Sequence, residues 1–189
     1  MLAPVSAVEL IVVHPSLHFS AFQREQKSLS YHIAKGILMN PKPTRLLFVC
    51  SGNICRSPLA HGWAIHETEI RNLNVESDSA GTLMIEGHPA HDHTVQVCRE
   101  AGFSIEEHRS KGITQTLVDW AEYILVMETH HASYIRQHFN DCDDKIMLLG
   151  SLAGMMSIPD PIGKDLGSYR ENRDQIQRSM RVLFSQLFG

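Results

Sequence analysis

The chain has 189 residues, 43% of them hydrophobic and 20% charged, which is enough apolar material for the core of one globular domain. With 17 basic and 21 acidic residues and a net charge of −4, the balance marks no nucleic-acid or anionic-membrane surface, so any anion site must be local. The four cysteines, Cys50, Cys55, Cys98 and Cys142, are too few for a disulfide framework and match no zinc spacing; they read as reduced thiols of a cytoplasmic protein.

Residues 1–42 read as a poorly ordered N-terminal extension. The opening MLAPVSAVELIVVHPSLHF lacks the basic start and cleavage site of a signal peptide, and Glu9 interrupts its apolar run. No stretch reaches the ~18 apolar residues of a membrane span. Met39-Asn40-Pro41-Lys42-Pro43 is linker-like, because its prolines favour an extended lead-in. The domain is therefore expected at 43–189, with residues 1–38 dispensable for its activity.

From Arg45 the pattern becomes regular. Leu46, Leu47, Phe48 and Val49 form the continuous apolar run of a strand buried on both faces. After the loop 50–56, Ser57-Pro58 is expected to open a helix, with Ser as cap and Pro in the first turn. Leu59, Trp63 and Ile70 mark its buried face. Further strands are expected at 75–80, 123–127 and 145–149, and helices at 90–101, 114–120, 129–139 and 166–188. In the last helix Ile176, Met180, Leu183, Phe184 and Leu187 recur at helical spacing and read as core. This alternation predicts an α/β fold of three layers, a four-stranded parallel sheet with helices on both faces.

Cys50-Ser51-Gly52-Asn53-Ile54-Cys55-Arg56-Ser57-Pro58 lies between the first strand and a helix start. In that geometry the backbone N–H groups of Ser51, Gly52, Asn53, Ile54, Cys55, Arg56 and Ser57 converge on one point and the helix N-terminus adds positive potential, which makes a phosphate-binding loop. Gly52 is expected to supply the positive φ of so tight a loop. Arg56 offers two parallel donors to two phosphoryl oxygens. Cys50 sits at the bottom of the cradle, where donors and dipole are expected to pull its pKa below ~8.5 and make it a nucleophile. Ser57 can donate to its sulfur. A buried cysteine at a strand end is ordinarily inert, but Cys, five residues, Arg, Ser and Pro after an apolar strand argue against that reading. The Walker string G-x-x-x-x-G-K-[ST] does not occur.

LLFVCSGNICRSPLA resembles the amino-terminal signature of low-molecular-weight protein tyrosine phosphatases. Further similar strings follow in order: Asp78-Ser79-Ala80-Gly81-Thr82, His108-Arg109-Ser110, Tyr123-Ile124-Leu125-Val126-Met127-Glu128 and Ile158-Pro159-Asp160-Pro161. The resemblance implies Cys50 as nucleophile, Arg56 as phosphate clamp and Asp160 as general acid, with Asp165 as a nearby competitor for the last role. It implies that Asn53, Ser79 and His108 hold the loop in shape, that no metal or cofactor is required, and that the substrate is a tyrosine-phosphorylated protein. Glu128-Thr129-His130-His131 and the stretch 146–160 are most similar to bacterial members acting on tyrosine kinases of polysaccharide export.

Two departures bear on substrate. Ile162-Gly163 follows Asp160-Pro161, and Thr82-Leu83-Met84-Ile85 follows Gly81, so the aromatic walls common in the family are missing. Ile54 resembles tyrosine-specific members, whereas relatives acting on phosphoarginine tend to carry Thr there. Three other readings remain: a protein-arginine phosphatase, an arsenate reductase on the same fold, which would need further paired cysteines where Cys98 and Cys142 stand far apart in sequence, and a phospho-binding module without catalysis. Cys55, on the loop with Cys50, is a candidate redox partner that would trap an oxidised Cys50 as a disulfide.

Overall fold

The structure is a computed structural model that describes residues 42–189. The expectation of a poorly ordered extension over 1–42 falls, apart from Lys42, outside the described residues. The sheet consists of β1 (Thr44–Cys50), β2 (Val75–Gly81), β3 (Tyr123–Val126) and β4 (Ile146–Leu148). Its order is β2-β1-β3-β4, and every pair is parallel. Among the described residues five α-helices accompany it: α1 (Arg56–Arg71), α2 (Asp92–Glu100), α3 (Gln115–Trp120), α4 (Thr129–His138) and α5 (Leu166–Phe188).

β1 is an inner strand, and Leu46, Leu47, Phe48 and Val49 are all fully buried. Its side chains alternate between two cores. Leu46, Phe48 and Cys50 pack with Leu59 and Trp63 of α1, Val97 of α2, and Ile176, Met180, Leu183 and Phe184 of α5. Leu47 and Val49 pack with Val118 of α3 and Ala132 and Ile135 of α4. Helices thus cover both faces in three layers, as the alternation predicts. Trp63 meets Phe184 edge-on at a centroid distance of 5.1 Å, an aromatic pair that fixes α1 against α5.

Local differences from the sequence expectation have physical causes. α1 starts at Arg56 with Cys55 as its cap residue and no side-chain cap bond. Ser57 is therefore not a cap; its hydroxyl is committed to the loop, and Pro58 is tolerated in the first turn. The buried positions of α1 stop at Ala64, so Ile70, on the expected face, is 66% exposed. β4 is an edge strand of three residues flanked by 3₁₀ turns at Asp143–Lys145 and Leu149–Ala153. His91 caps α2, its Nδ1 accepting from His93 N at 3.2 Å. α5 matches its expected span, with Asp165 as cap.

The topology places the site. From β1 the chain crosses through α1 to β2 on one side, while β3 pairs with β1 on the other. The carboxyl end of β1 is therefore the point where the connections diverge, and in open parallel sheets that crevice receives ligands. Cys50 stands there, in register with Gly81.

Candidate active site

Cys50 is 2% exposed, and its Sγ lies 3.0 Å from Ser57 Oγ. Asn53 organises the loop from within. Its Nδ2 donates to Ser57 Oγ and to Ser79 Oγ, both at 2.9 Å, and its Oδ1 accepts from Lys111 N at 2.9 Å. His108 Nε2 donates to the Asn53 carbonyl at 2.8 Å. Because Ser57 Oγ accepts from the Asn53 amide, its own hydrogen is shared between the Cys50 sulfur at 3.0 Å and the Ala80 carbonyl at 3.4 Å, the sulfur being the nearer acceptor. The structure thus brings Asn53, Ser57, Ser79 and His108 together beneath the loop. Burial, first of all, holds His108 below the usual histidine range.

Asn53, and not Gly52, carries the positive φ, at 54°. Asn tolerates the left-handed region better than most residues, and here its side chain is pinned on three sides. Gly52 is not among the positive-φ residues, and a Cβ there would make only ordinary contacts with Ile54 and Ile85. The glycine the loop needs is Gly81. A Cβ on it would lie 2.7 Å from Ser51 O and 2.9 Å from both Asn53 N and the Gly52 carbonyl carbon. All three are backbone atoms that cannot step aside.

Arg56 is 1% exposed. Its Nη1 donates to the Glu128 carboxylate and to Ile158 O at 3.1 Å. Its Nη2 donates to Asp160 Oδ2 at 2.5 Å and to Ser51 Oγ at 3.3 Å. Nε is buried with no partner among the described residues, an uncommon state for a guanidinium donor. His131, fully buried, accepts from Glu128 N on Nδ1 at 3.1 Å and faces Ser51 Oγ with Nε2 at 2.9 Å. Burial, followed by the nearby His130 and Arg56, pushes its pKa down to about 3, so the ring is neutral.

Asp160 is held from behind. Ile158 N donates to Met127 O at 2.9 Å, Asn172 Nδ2 to Pro159 O at 2.9 Å, and Ile162 N to Asp160 Oδ1 at 3.1 Å. Its carboxylate shares a pocket of about 150 Å³ with Cys50, Ser51, Arg56 and an apolar set, Ile54, Leu83, Ile85 and Ile162. Asp165 stands elsewhere: its Oδ1 takes Ser168 N at 2.9 Å and Ser168 Oγ at 2.8 Å, and those bonds hold its carboxyl below the usual range.

Cys55 lies under the loop with its Sγ 3.7 Å from Tyr169 Oη. Burial raises its thiol pKa to about 11, against the lowering effect of Tyr169 and Thr94. Cys98 and Cys142 belong to the cores on opposite sides of the sheet, so they are not a shuttling pair.

Gly81, Glu128, His131 and Lys111 are site residues that sequence reasoning did not assign. For Glu128 and His131 a signal existed: acceptors spaced three apart at a helix start resemble a capping box, though His is an unusual occupant of its second position.

The sequence pattern of the low molecular weight phosphotyrosine protein phosphatase family matches residues 45–188. A protein-arginine-phosphatase of Geobacillus stearothermophilus is 36% identical over 77% of this chain and 97% of its own. A probable low molecular weight protein-tyrosine-phosphatase of Ralstonia nicotianae is 34% identical over 71% and 90%. Among solved structures, a low molecular weight protein tyrosine phosphatase from T. tengcongensis superposes with a TM-score of 0.73 at 30% identity, covering 76% of this chain and 99% of that one.

Proposed function

Since the chain belongs to the low molecular weight phosphotyrosine protein phosphatase family, we propose that it hydrolyses phosphotyrosine in proteins through a phosphocysteine on Cys50. The observation that carries this reading is the convergence of the Cys50 sulfur, the Arg56 guanidinium with its unpartnered Nε, and the Asp160 carboxylate on one pocket. Arg56 and the amides of 51–57 hold the phosphoryl dianion. Cys50 attacks phosphorus in line, and Ser57 donates to its sulfur as that sulfur departs again in the second step. Asp160 delivers a proton to the leaving phenolic oxygen, then takes one from the water that hydrolyses the phosphocysteine. Arg56 and the amides supply the charge stabilisation of the transition state.

Similarity to a protein-arginine-phosphatase supports a second reading, hydrolysis of phosphoarginine. The pocket wall favours the first. Ile54, Leu83, Ile85 and Ile162 offer an apolar slot to a phenyl ring, while a phosphoarginine would set a cationic guanidinium against the same aliphatic surface at a desolvation cost. Peptides carrying phosphotyrosine, phosphoarginine or phosphoserine, compared by kcat/KM, test the choice. Preference for the phosphoarginine peptide overturns the tyrosine reading, and loss of all hydrolysis in Cys50→Ser is expected under either.

The proposal extends to a cytoplasmic enzyme acting on phosphorylated proteins such as a bacterial tyrosine kinase, which the likeness of 128–131 and 146–160 to export-linked members supports. Cys55 has a proposed redox role. Peroxide oxidises Cys50 to a sulfenic acid, and Cys55 displaces water from it to form a disulfide that thiol reductants reopen. Because burial keeps Cys55 protonated, trapping is slow relative to an ordinary surface thiol. Cys55→Ser should lose the thiol-dependent recovery after peroxide that the natural enzyme shows; equal recovery by both would remove Cys55 from this role.

A further inference from the structure

Three hydrogen bonds around Ser51 fix where its hydroxyl proton can go. Glu128 N–H donates to His131 Nδ1 at 3.1 Å, so that nitrogen carries no proton. The proton of the neutral ring is on Nε2, which faces Ser51 Oγ at 2.9 Å and donates to it. Arg56 Nη2 donates to the same oxygen at 3.3 Å. Both acceptor positions of Oγ are therefore filled, and its single hydrogen is left to a third group. Ser51 lines the pocket shared by Cys50, Arg56 and Asp160, and beside it Arg56 Nε is buried without an acceptor among the described residues. A hydroxyl hydrogen and a guanidinium N–H, both waiting for acceptors in one pocket, match two oxygens of a phosphoryl group.

We propose that the Ser51 hydroxyl donates to a phosphoryl oxygen of the substrate and that His131 is the positioning residue that aims it. The proposal rests on the reading of this pocket as a phosphomonoester site and adds to it a side-chain donor beyond Arg56. The plainer role of His131, closing the start of α4, accounts for its Nδ1 contact but not for Nε2, which reaches a loop 80 positions away in sequence. His131 is fully buried, so no water competes for that bond.

The test uses the full chain and inorganic phosphate as the probe, read as an inhibition constant beside kcat and KM on an aryl phosphate. Ser51→Ala should weaken phosphate binding roughly 10- to 100-fold, the scale of a hydrogen bond to a charged group, and Ser51→Thr should regain most of it. His131→Leu should match Ser51→Ala, and the double variant should be no worse than the worse single one, because both remove the same bond. His131→Gln, whose amide can both accept from Glu128 N and donate to Ser51, should recover most of the affinity. If His131→Leu does not fold, the cycle is run with His131→Met, which likewise has no donor for Ser51. Unchanged phosphate binding in Ser51→Ala overturns the proposal, as do additive losses in the double variant. So does a Ser51→Ala defect that grows with leaving-group pKa at intact phosphate affinity, since the hydroxyl would then serve Asp160. Residual hydrolysis by Cys50→Ser would sink the parent reading, whereas phosphate binding to Cys50→Ser still reports on Ser51.

Discussion

Beneath Cys50, Asn53, Ser57, Ser79, His108 and Lys111 use their polar atoms on one another; above it, Leu83 and Ile162 present 64% and 54% of their surface to solvent. The floor is held by side-chain and backbone bonds that reach it from β2, from the 108–111 segment and from α1. On its 82–85 side the wall is tied to the loop by two backbone bonds, Thr82 N to Cys50 O at 3.0 Å and Leu83 N to Ser51 O at 2.9 Å, and Met84 takes a positive φ of 54°; on the other side Ile162 N donates to Asp160 Oδ1. A floor fixed from many directions suits the transferring phosphoryl group, whose geometry tolerates little error. A wall with few commitments suits the variable part of the substrate and can change without disturbing the chemistry.

The largest effect expected from the comparison falls on Asp160, which joins the two regions. Expelling a phenol of pKa ~10 unprotonated at neutral pH is costly, so Asp160→Asn should lower kcat on phosphotyrosine roughly 10²- to 10⁴-fold. The penalty should shrink with a more acidic phenol, and KM should hardly move. Asp165→Asn, which removes a carboxylate but keeps the acceptor oxygen of the helix cap, should leave kcat alone; a leaving-group-dependent defect there would transfer the acid role away from Asp160.

Next comes Gly81, where floor and wall meet. Its missing Cβ makes room for Ser51 O and Asn53 N, so Gly81→Ala must push the loop. Displacements of about 1 Å at a reacting centre cost roughly 10² in rate, and that is the loss expected in kcat/KM, together with a lower Tm. An equivalent change at Gly52, where a Cβ finds ordinary contacts, should keep the Tm near its original value. If Gly81→Ala keeps full activity, the floor is more compliant than its bonds suggest.

Histidines in the floor and around it also predict acid sensitivity. Burial lowers the pKa of His61, His108 and His131, the last to about 3. His131 is neutral in the fold yet takes up a proton at ~6.5 once unfolded, and the lowered values of His61 and His108 act in the same direction. Below that pH the unfolded state binds more protons, so stability rises with pH and is lost as pH falls from about 6.5, by up to ~1.4 kcal/mol per pH unit for His131. Thermal melts from pH 7 to 4.5 should show a falling Tm, with a shallower slope in His131→Gln. Parallel slopes would mean that His131 is not held neutral by burial.

How much of this was legible in the sequence follows from the range of each interaction. Cys50, Arg56 and the strand before them are local, and their spacing alone announced an anion loop. α5 was legible because its apolar positions repeat at the helical period over 23 residues. The contacts of Arg56 with Glu128 and of Ser51 with His131 join positions 72 and 80 apart, and no spacing rule encodes them. The choice of Asn53 over Gly52 for the left-handed position was equally hidden, because partners from Ser79 and Lys111 decide it rather than intrinsic preference. Gly81 follows the expected strand 75–80, and nothing in its neighbours encodes the loop backbone that rests on it.

The smallest expected effect concerns the wall, and it sharpens the comparison most directly. Leu83 and Ile162 are more than half exposed at the pocket mouth, so an aromatic ring can replace either without overpacking the core. A phenyl ring held between aliphatic side chains gains burial but no ring-on-ring geometry, which is worth ~0.5–1.5 kcal/mol beyond area. Ile162→Tyr should therefore lower KM for an aryl phosphate by roughly 2- to 12-fold, with kcat unchanged, because the floor still sets the phosphoryl geometry. An alkyl phosphate has no ring to stack, and its KM should stay where it was. An equal gain on both substrates would mean that the new ring acts on the phosphate end, and a fall in kcat would mean that the wall is coupled to the floor after all.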